Sequence, residues 1–235
     1  MAKLIWDEVG KRVYETGVKQ AVLYVMSNAN TYGKGVAWSG MTAVTESPSG
    51  AEATPLYADD TKYLELYSAE EFGATVEAYT YPDEFGACDG TVTLEKGVTI
   101  GQQTRSQFAL CYRTAIGNDT NGLKHGYKLH IIYGCRATPT EKAYNAINND
   151  PEAITFSWEI TTTPVPVTGQ DPTSTIVLDS TKLKLATMQA VEAKLYGDSS
   201  NEPQLLMPDA IIELVKQTEV AKAFEQPNGQ KPNVK

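Results

Sequence analysis

The chain has 235 residues, 41% of them hydrophobic and 21% charged, the make-up of an ordinary globular chain with room for a sizeable core. A net charge of −9 argues against gripping a phosphate backbone as its main task. No run of 18 apolar residues is present, so no membrane helix is expected, and Asp7 and Glu8 interrupt the stretch where a secretory signal would need to be apolar.

In chain order, Val18 to Met26 alternates like a half-buried strand. Ala53 to Tyr57 and Tyr63 to Tyr67 are short strands around the turn ADDT, a predicted hairpin. Ala74 to Tyr81 is a strand rich in β-formers, stopped by Pro82, and PDEFGAC suits one helical turn. Val98 to Ile100 is a short strand. Thr104 to Ile116 and Gly126 to Cys135 are the strongest strand pair, joined by the turn-rich GNDTNGLKH. Ala153 to Val165 is a long strand ended by Pro164 and Pro166, and Ser174 to Leu178 a short one. Helices come late. Asp179 or Ser180 is predicted to cap a helix through Leu195, stopped by Gly197. Pro208 opens a second, from Asp209 to about Val220, and the tail from Ala223 reads as a flexible end. The expected class is mainly β with flanking helices, a β-sandwich or barrel over 1–180 and a helical extension over 181–235.

The acids are unevenly spread. Twelve of the 29 lie between Glu46 and Glu95, against one base, Lys62. That local balance of −11 leaves about +2 for the rest of the chain. Within this run, Tyr57, Tyr63 and Tyr67 read as a core face of the sheet, a contact with another copy, or a sugar-stacking platform.

Motifs for chemistry are missing. There is no GxGxxG, Walker loop, HExxH or GxSxG. His125 and His130, five apart, fall on opposite faces of a strand and read as ordinary turn and strand positions. Neighbouring acids such as Asp59 with Asp60, Glu70 with Glu71, or Asp83 with Glu84 point to opposite strand faces, which is not how a glycosidase sets its carboxyls across a cleft. NDTNG lacks the acid that would complete a calcium loop and reads as a hairpin turn. Cys88, Cys111 and Cys135 match no zinc or redox spacing, and the last two read as reduced core residues. No catalytic residue, cofactor or metal is expected.

Several long blocks carry a resemblance. They are WDEVGKRVYETGV (Trp6 to Val18), YGKGVAWSGMTAVTESPSGAEATPLYAD (Tyr32 to Asp59) and SAEEFGATVEAYTYPDEF (Ser68 to Phe85). GVTIGQQTRSQFALCYRTAIGNDTNG (Gly97 to Gly122), GYKLHIIYGCRATPTEKAYNAIN and PEAITFSWEITTTPV continue it to Val165. In these the chain resembles the major tail protein family, the tail tube proteins of long-tailed, non-contractile phages of Gram-positive hosts. The resemblance implies a structural protein, not an enzyme, made in the host cytoplasm and carried in the virion tail. It implies hexameric rings with an inner β-barrel, stacked into a tube around a tape-measure protein. Distal tail and tail-terminator proteins cap that tube, and DNA passes through its lumen without specific binding. The acidic loop over 40–70 is then expected to project and dock on a neighbouring ring or subunit, with Ser47, Pro48, Tyr57, Asp59, Asp60, Tyr63 and Tyr67 at the contact. The competing readings are a carbohydrate- or receptor-binding module using Trp38, Tyr57 or Trp158, and a hydrolase using an acidic pair.

Overall fold

A computed structural model describes residues 3–27, 31–147 and 153–221. Its first strands are β1 (Val13–Val25), β2 (Val36–Trp38), β3 (Met41–Glu46), β4 (Ser49–Gly50), β5 (Ala53–Ala58), β6 (Thr61–Tyr67), β7 (Glu70–Glu71) and β8 (Gly73–Ala78). A 3-10 turn, Asp83–Phe85, runs into the short helix α1 (Gly86–Asp89). Next come β9 (Val92–Glu95), β10 (Val98–Ile100), β11 (Phe108–Asn118), β12 (Gly122–Ala137) and β13 (Phe156–Thr162). The chain continues through β14 (Val165–Val167), β15 (Gln170–Thr173) and β16 (Thr175–Asp179) to the helices α2 (Leu185–Tyr196) and α3 (Pro208–Ala221). The class is mainly β, with a large antiparallel sheet and a few helices.

The large sheet runs β2-β1-β11-β12-β13-β8-β3, and β16 also pairs with β12. It is antiparallel throughout. β12 belongs to two neighbourhoods. Lys128 to Ile132 pair with β16, while Cys135 to Ala137 pair with β13. Between them the register against β11 slips by one residue, a β-bulge containing Gly134. Gly134 has φ +60°, and a Cβ there would lie 2.1 Å from the Thr163 carbonyl oxygen. Only glycine fits this corner. The sheet curls until β3 meets β1. Tyr112 on β11 donates a 2.6 Å hydrogen bond to Glu46 Oε1 at the end of β3, which ties the two sides together.

Strict alternation sends the central strands into two cores. On β11, Phe108, Leu110 and Tyr112 enter the first, while Ala109 and Cys111 enter the second. On β1 the split is Ala21 and Leu23 against Val22 and Tyr24. The first core lies inside the curl and centres on Trp38, Phe85 and Trp158, with Phe85 5.0 Å from Trp158 and 4.5 Å from Trp38 between ring centroids. The second holds the helices: Met188, Val191 and Leu195 of α2 and Ile211 of α3 pack on the other face of the same strands. Tyr24 donates to the Leu195 carbonyl at 2.6 Å and Tyr133 to the Leu206 carbonyl at 2.8 Å. Residue 180, the boundary expected from the sequence, falls in the turn between β16 and α2.

Several expectations need correcting. β1 starts at Val13, because pairing with β11 continues to Asn118. The β11–β12 turn is only Asp119 to Asn121, and β11 starts at Phe108 rather than Thr104. β13 covers Phe156–Thr162, and Pro166 lies inside β14, in the small β14–β15 ribbon next to a register slip, where a missing N–H is tolerated. α2 begins at Leu185, not at Asp179. Asp179 ends β16, and its Oδ1 accepts from the Thr181 N–H at 2.9 Å and hydroxyl at 2.6 Å, a local turn that competes with helix. β2, β3, β4, β7, β9, β14 and β15 were not expected, and Met41–Glu46, inside the loop placed at 40–70, form a strand of the sheet. The tail from Ala223 lies outside the described residues.

Candidate assembly surface

The excursion between β3 and β8 is one antiparallel ribbon. Ser47 N–H donates to the Gly73 carbonyl at 2.8 Å at its root. β4 pairs with β7, Ala51 and Glu52 bridge to Ala69 and Ser68, and β5 then pairs with β6. From Ser47 to Asp59 the path is about 40 Å, at ~3.3 Å per residue. The tip is a two-residue turn in which Asp59 (φ 51°) and Asp60 (φ 58°) are both left-handed. That is a type I′ geometry, which Asp tolerates better than most residues.

Every residue of β5 is exposed, and so is nearly all of β6. Register puts Leu56 opposite Leu64, and Thr54 opposite Leu66, on one face. Tyr63, Glu65 and Tyr67 share the other. Tyr57, Tyr63 and Tyr67 are 70%, 73% and 69% exposed, so they are not core. Ser47 and Pro48 sit at the root, Asp59 and Asp60 at the tip, about 40 Å apart along the ribbon. Lys62, the one base, is paired with Glu65. Two strands with apolar side chains on both faces are marginal alone in water.

The acidic run is not uniformly surface. Asp89 is buried, with Lys142 on one oxygen, Trp158 Nε1 at 3.2 Å on the other and Arg105 at 3.7 Å. Glu46 is tied to Tyr112, with His130 Nδ1 at 3.5 Å. Glu77 lies on the outward face of β3, β8 and β13, where Ala43, Glu77 and Ser157 form one row and Thr45, Thr75 and Glu159 the next. That face is small, polar and acidic, with Arg136 of β12 beside Thr161 at its rim.

Two further exposed apolar elements were not read from the sequence as contact surfaces, although Val98 to Ile100 was expected as a strand. β9 and β10 form a second hairpin, with Val92, Leu94, Val98 and Ile100 exposed. Its signal was the alternation of VTLE and VTI around Lys96-Gly97. The other is the N-terminal segment, where Leu4, Ile5, Trp6 and Val9 are exposed. Trp38 and Trp158, named as sugar-stacking platforms, are buried in the first core. His125 and His130 lie on opposite faces of β12. Among the described residues no three His, Cys, Asp or Glu side chains group to hold a metal.

No family model and no curated protein matches the chain. Among solved structures, one similar chain belongs to the PVC sheath-tube complex of an extracellular contractile injection system in its extended state. It is 10% identical, with a TM-score of 0.29, over 68% of this chain and 88% of that one. A second comes from the sheath/tube terminator of the same kind of system, 11% identical with a TM-score of 0.27, over 75% and 99% of the two chains. Superpositions this loose bear on neither function nor partner.

Proposed function

We propose that this chain is a structural subunit that polymerises into a phage tail tube. The exposed ribbon from Ser47 to Phe72 carries the reading. It holds leucines on one face and tyrosines on the other, and none of the described residues covers them. A strand pair of this kind is completed by a neighbouring chain. The sequence blocks that resemble the major tail protein family support the same conclusion. On this reading the subunits close into rings, six to a ring, and the rings stack around a tape-measure protein. The lateral contact closes while the axial one stays open and propagates. The outward face of β3, β8 and β13 lines the lumen. Its acids and threonines offer DNA no cationic grip, so ejection is not slowed by phosphate contacts.

The test is removal of the ribbon. Deleting Ser47 to Ser68 leaves both cores untouched, so a soluble, folded protein is expected. Electron microscopy should show tubes for the full chain and none for the deletion. Normal tubes from the deletion would refute the assignment of the ribbon, and a full chain that never assembles would refute the function.

A further inference from the structure

α2 meets the sheet along two seams of different character. One is dry: Met188, Val191 and Leu195 are fully buried against the strands of the second core. The other is polar. Glu192 and Tyr196, four residues apart, share a helix face. Beneath them stand Cys111 and, two residues further along β11, Arg113 on the same side of the sheet. The Arg113 guanidinium lies over the Tyr127 ring, 3.3 Å from its centroid. Its Nη1 donates to Gln20 Oε1 at 3.2 Å and stands 3.6 Å from Glu192 Oε1, too far for a hydrogen bond.

Three buried polar atoms of this seam have no hydrogen-bond partner among the described residues: Arg113 Nε, Glu192 Oε1 and the Tyr196 hydroxyl. Burial keeps the proton on Tyr196, and Cys111, Glu192 and Arg113 are all near enough to act on it. The Cys111 thiol is a weak partner for a hydroxyl. Buried polar atoms left bare are costly, and native folds leave few of them.

The three atoms define what can join them. Arg113 Nε only donates, the Glu192 carboxylate only accepts, and the Tyr196 hydroxyl does either. Glu192 repels an anion and Arg113 repels a cation. The joining molecule must be small, neutral, and both donor and acceptor. We infer that one ordered water binds between α2 and β11, accepting from Arg113 Nε and donating to Glu192 Oε1, with the Tyr196 hydroxyl as its third partner. Three partners are usual for a buried water. A cleft of about 300 Å³, with apolar walls at Ala21, Val22, Ala37 and Pro203, also has Gln20 and Tyr196 in its lining. Solvent therefore reaches the seam through it. The site is internal to one subunit, so it stands whether or not the tube forms.

The first test is a structure of the full chain at a resolution that shows ordered water. A density peak is expected within ~3.2 Å of Arg113 Nε, Glu192 Oε1 and the Tyr196 hydroxyl. The second is urea unfolding of Tyr196→Phe, which should raise the unfolding equilibrium constant about fivefold. Tyr144→Phe, at an exposed ring, should leave it unchanged. The same fivefold effect is expected in a Cys111→Ala background. A direct Arg113–Glu192 pair with no peak between them would overturn the site. So would a Tyr196→Phe protein as stable as the parent or more so, since removing an unpartnered hydroxyl costs nothing. An effect that disappears with Cys111→Ala would make the thiol the partner and overturn it too.

Discussion

His130 sits against Tyr112, their rings stacked 4.7 Å apart and 5° from parallel, with Thr114 Oγ1 3.0 Å from its Nε2. Burial holds its pKa below the usual histidine value, against the pull of Glu46 and Glu15, while Lys128 adds to the lowering. The unfolded chain therefore takes up a proton near pH 6.5 that the folded chain refuses until lower pH. Stability from this site is complete above that range and declines as pH falls through it. His130→Gln should flatten the fall in melting temperature between pH 7.5 and 5.5 relative to the parent. The thiols make a second case. Burial pushes Cys88 and Cys111 up to about 12, and Cys135 higher still. Thiol reagents at pH 7.5 should label none of the three in the native protein and all three in denaturant. Cys111 and Cys135 were legible as core from the alternating runs around them. Asp89 was not, because Lys142 and Trp158 reach it from more than 50 residues away.

At the level of elements, local turn chemistry was readable and long-range pairing was not. ADDT gives the β5–β6 turn because two left-handed aspartates close it. Asp60→Gly should relieve the side chain there and raise hairpin order, seen as slower amide exchange of Leu64 and Leu66. β2 and β3 stayed hidden for a physical reason. The chain turns at Gly40 (φ +79°) and leaves β1 to join β8, so no single period runs through AWSGMTAV. The α2 helix was visible by its spacing, yet its start depends on Asp179 bonding Thr181. Leu195 is fully buried beneath Tyr24, and Leu195→Ala should cost about 2–5 kcal/mol in urea unfolding.

For the whole molecule, charge and shape divide the work. The ribbon from Glu46 to Glu71 is acidic, while the remainder of the chain outside the acidic run is slightly basic. If this asymmetry steers subunits together, assembly should slow as salt rises, since the screening length drops from ~10 Å at 0.1 M to ~3 Å at 1 M. Light scattering during assembly measures this, and salt-independent kinetics would leave the apolar faces as the sole drive. The curled sheet was legible as a mainly β fold, because strand patterns cover most of the first 180 residues. The coverage of that sheet by α2 and α3 was not, because a helix stripe does not say which strands it lies on.

The Gly134 corner has a mechanical meaning. β12 passes without a break from the strands under the helices to β13, which pairs with β8 at the root of the ribbon, so tension applied at the ribbon crosses the β8–β13 and β13–β12 ladders before it reaches β11 and β16. A subunit pulled along that line should stretch at its ribbon before its two cores separate. Stiffness is thus set at a residue without a side chain.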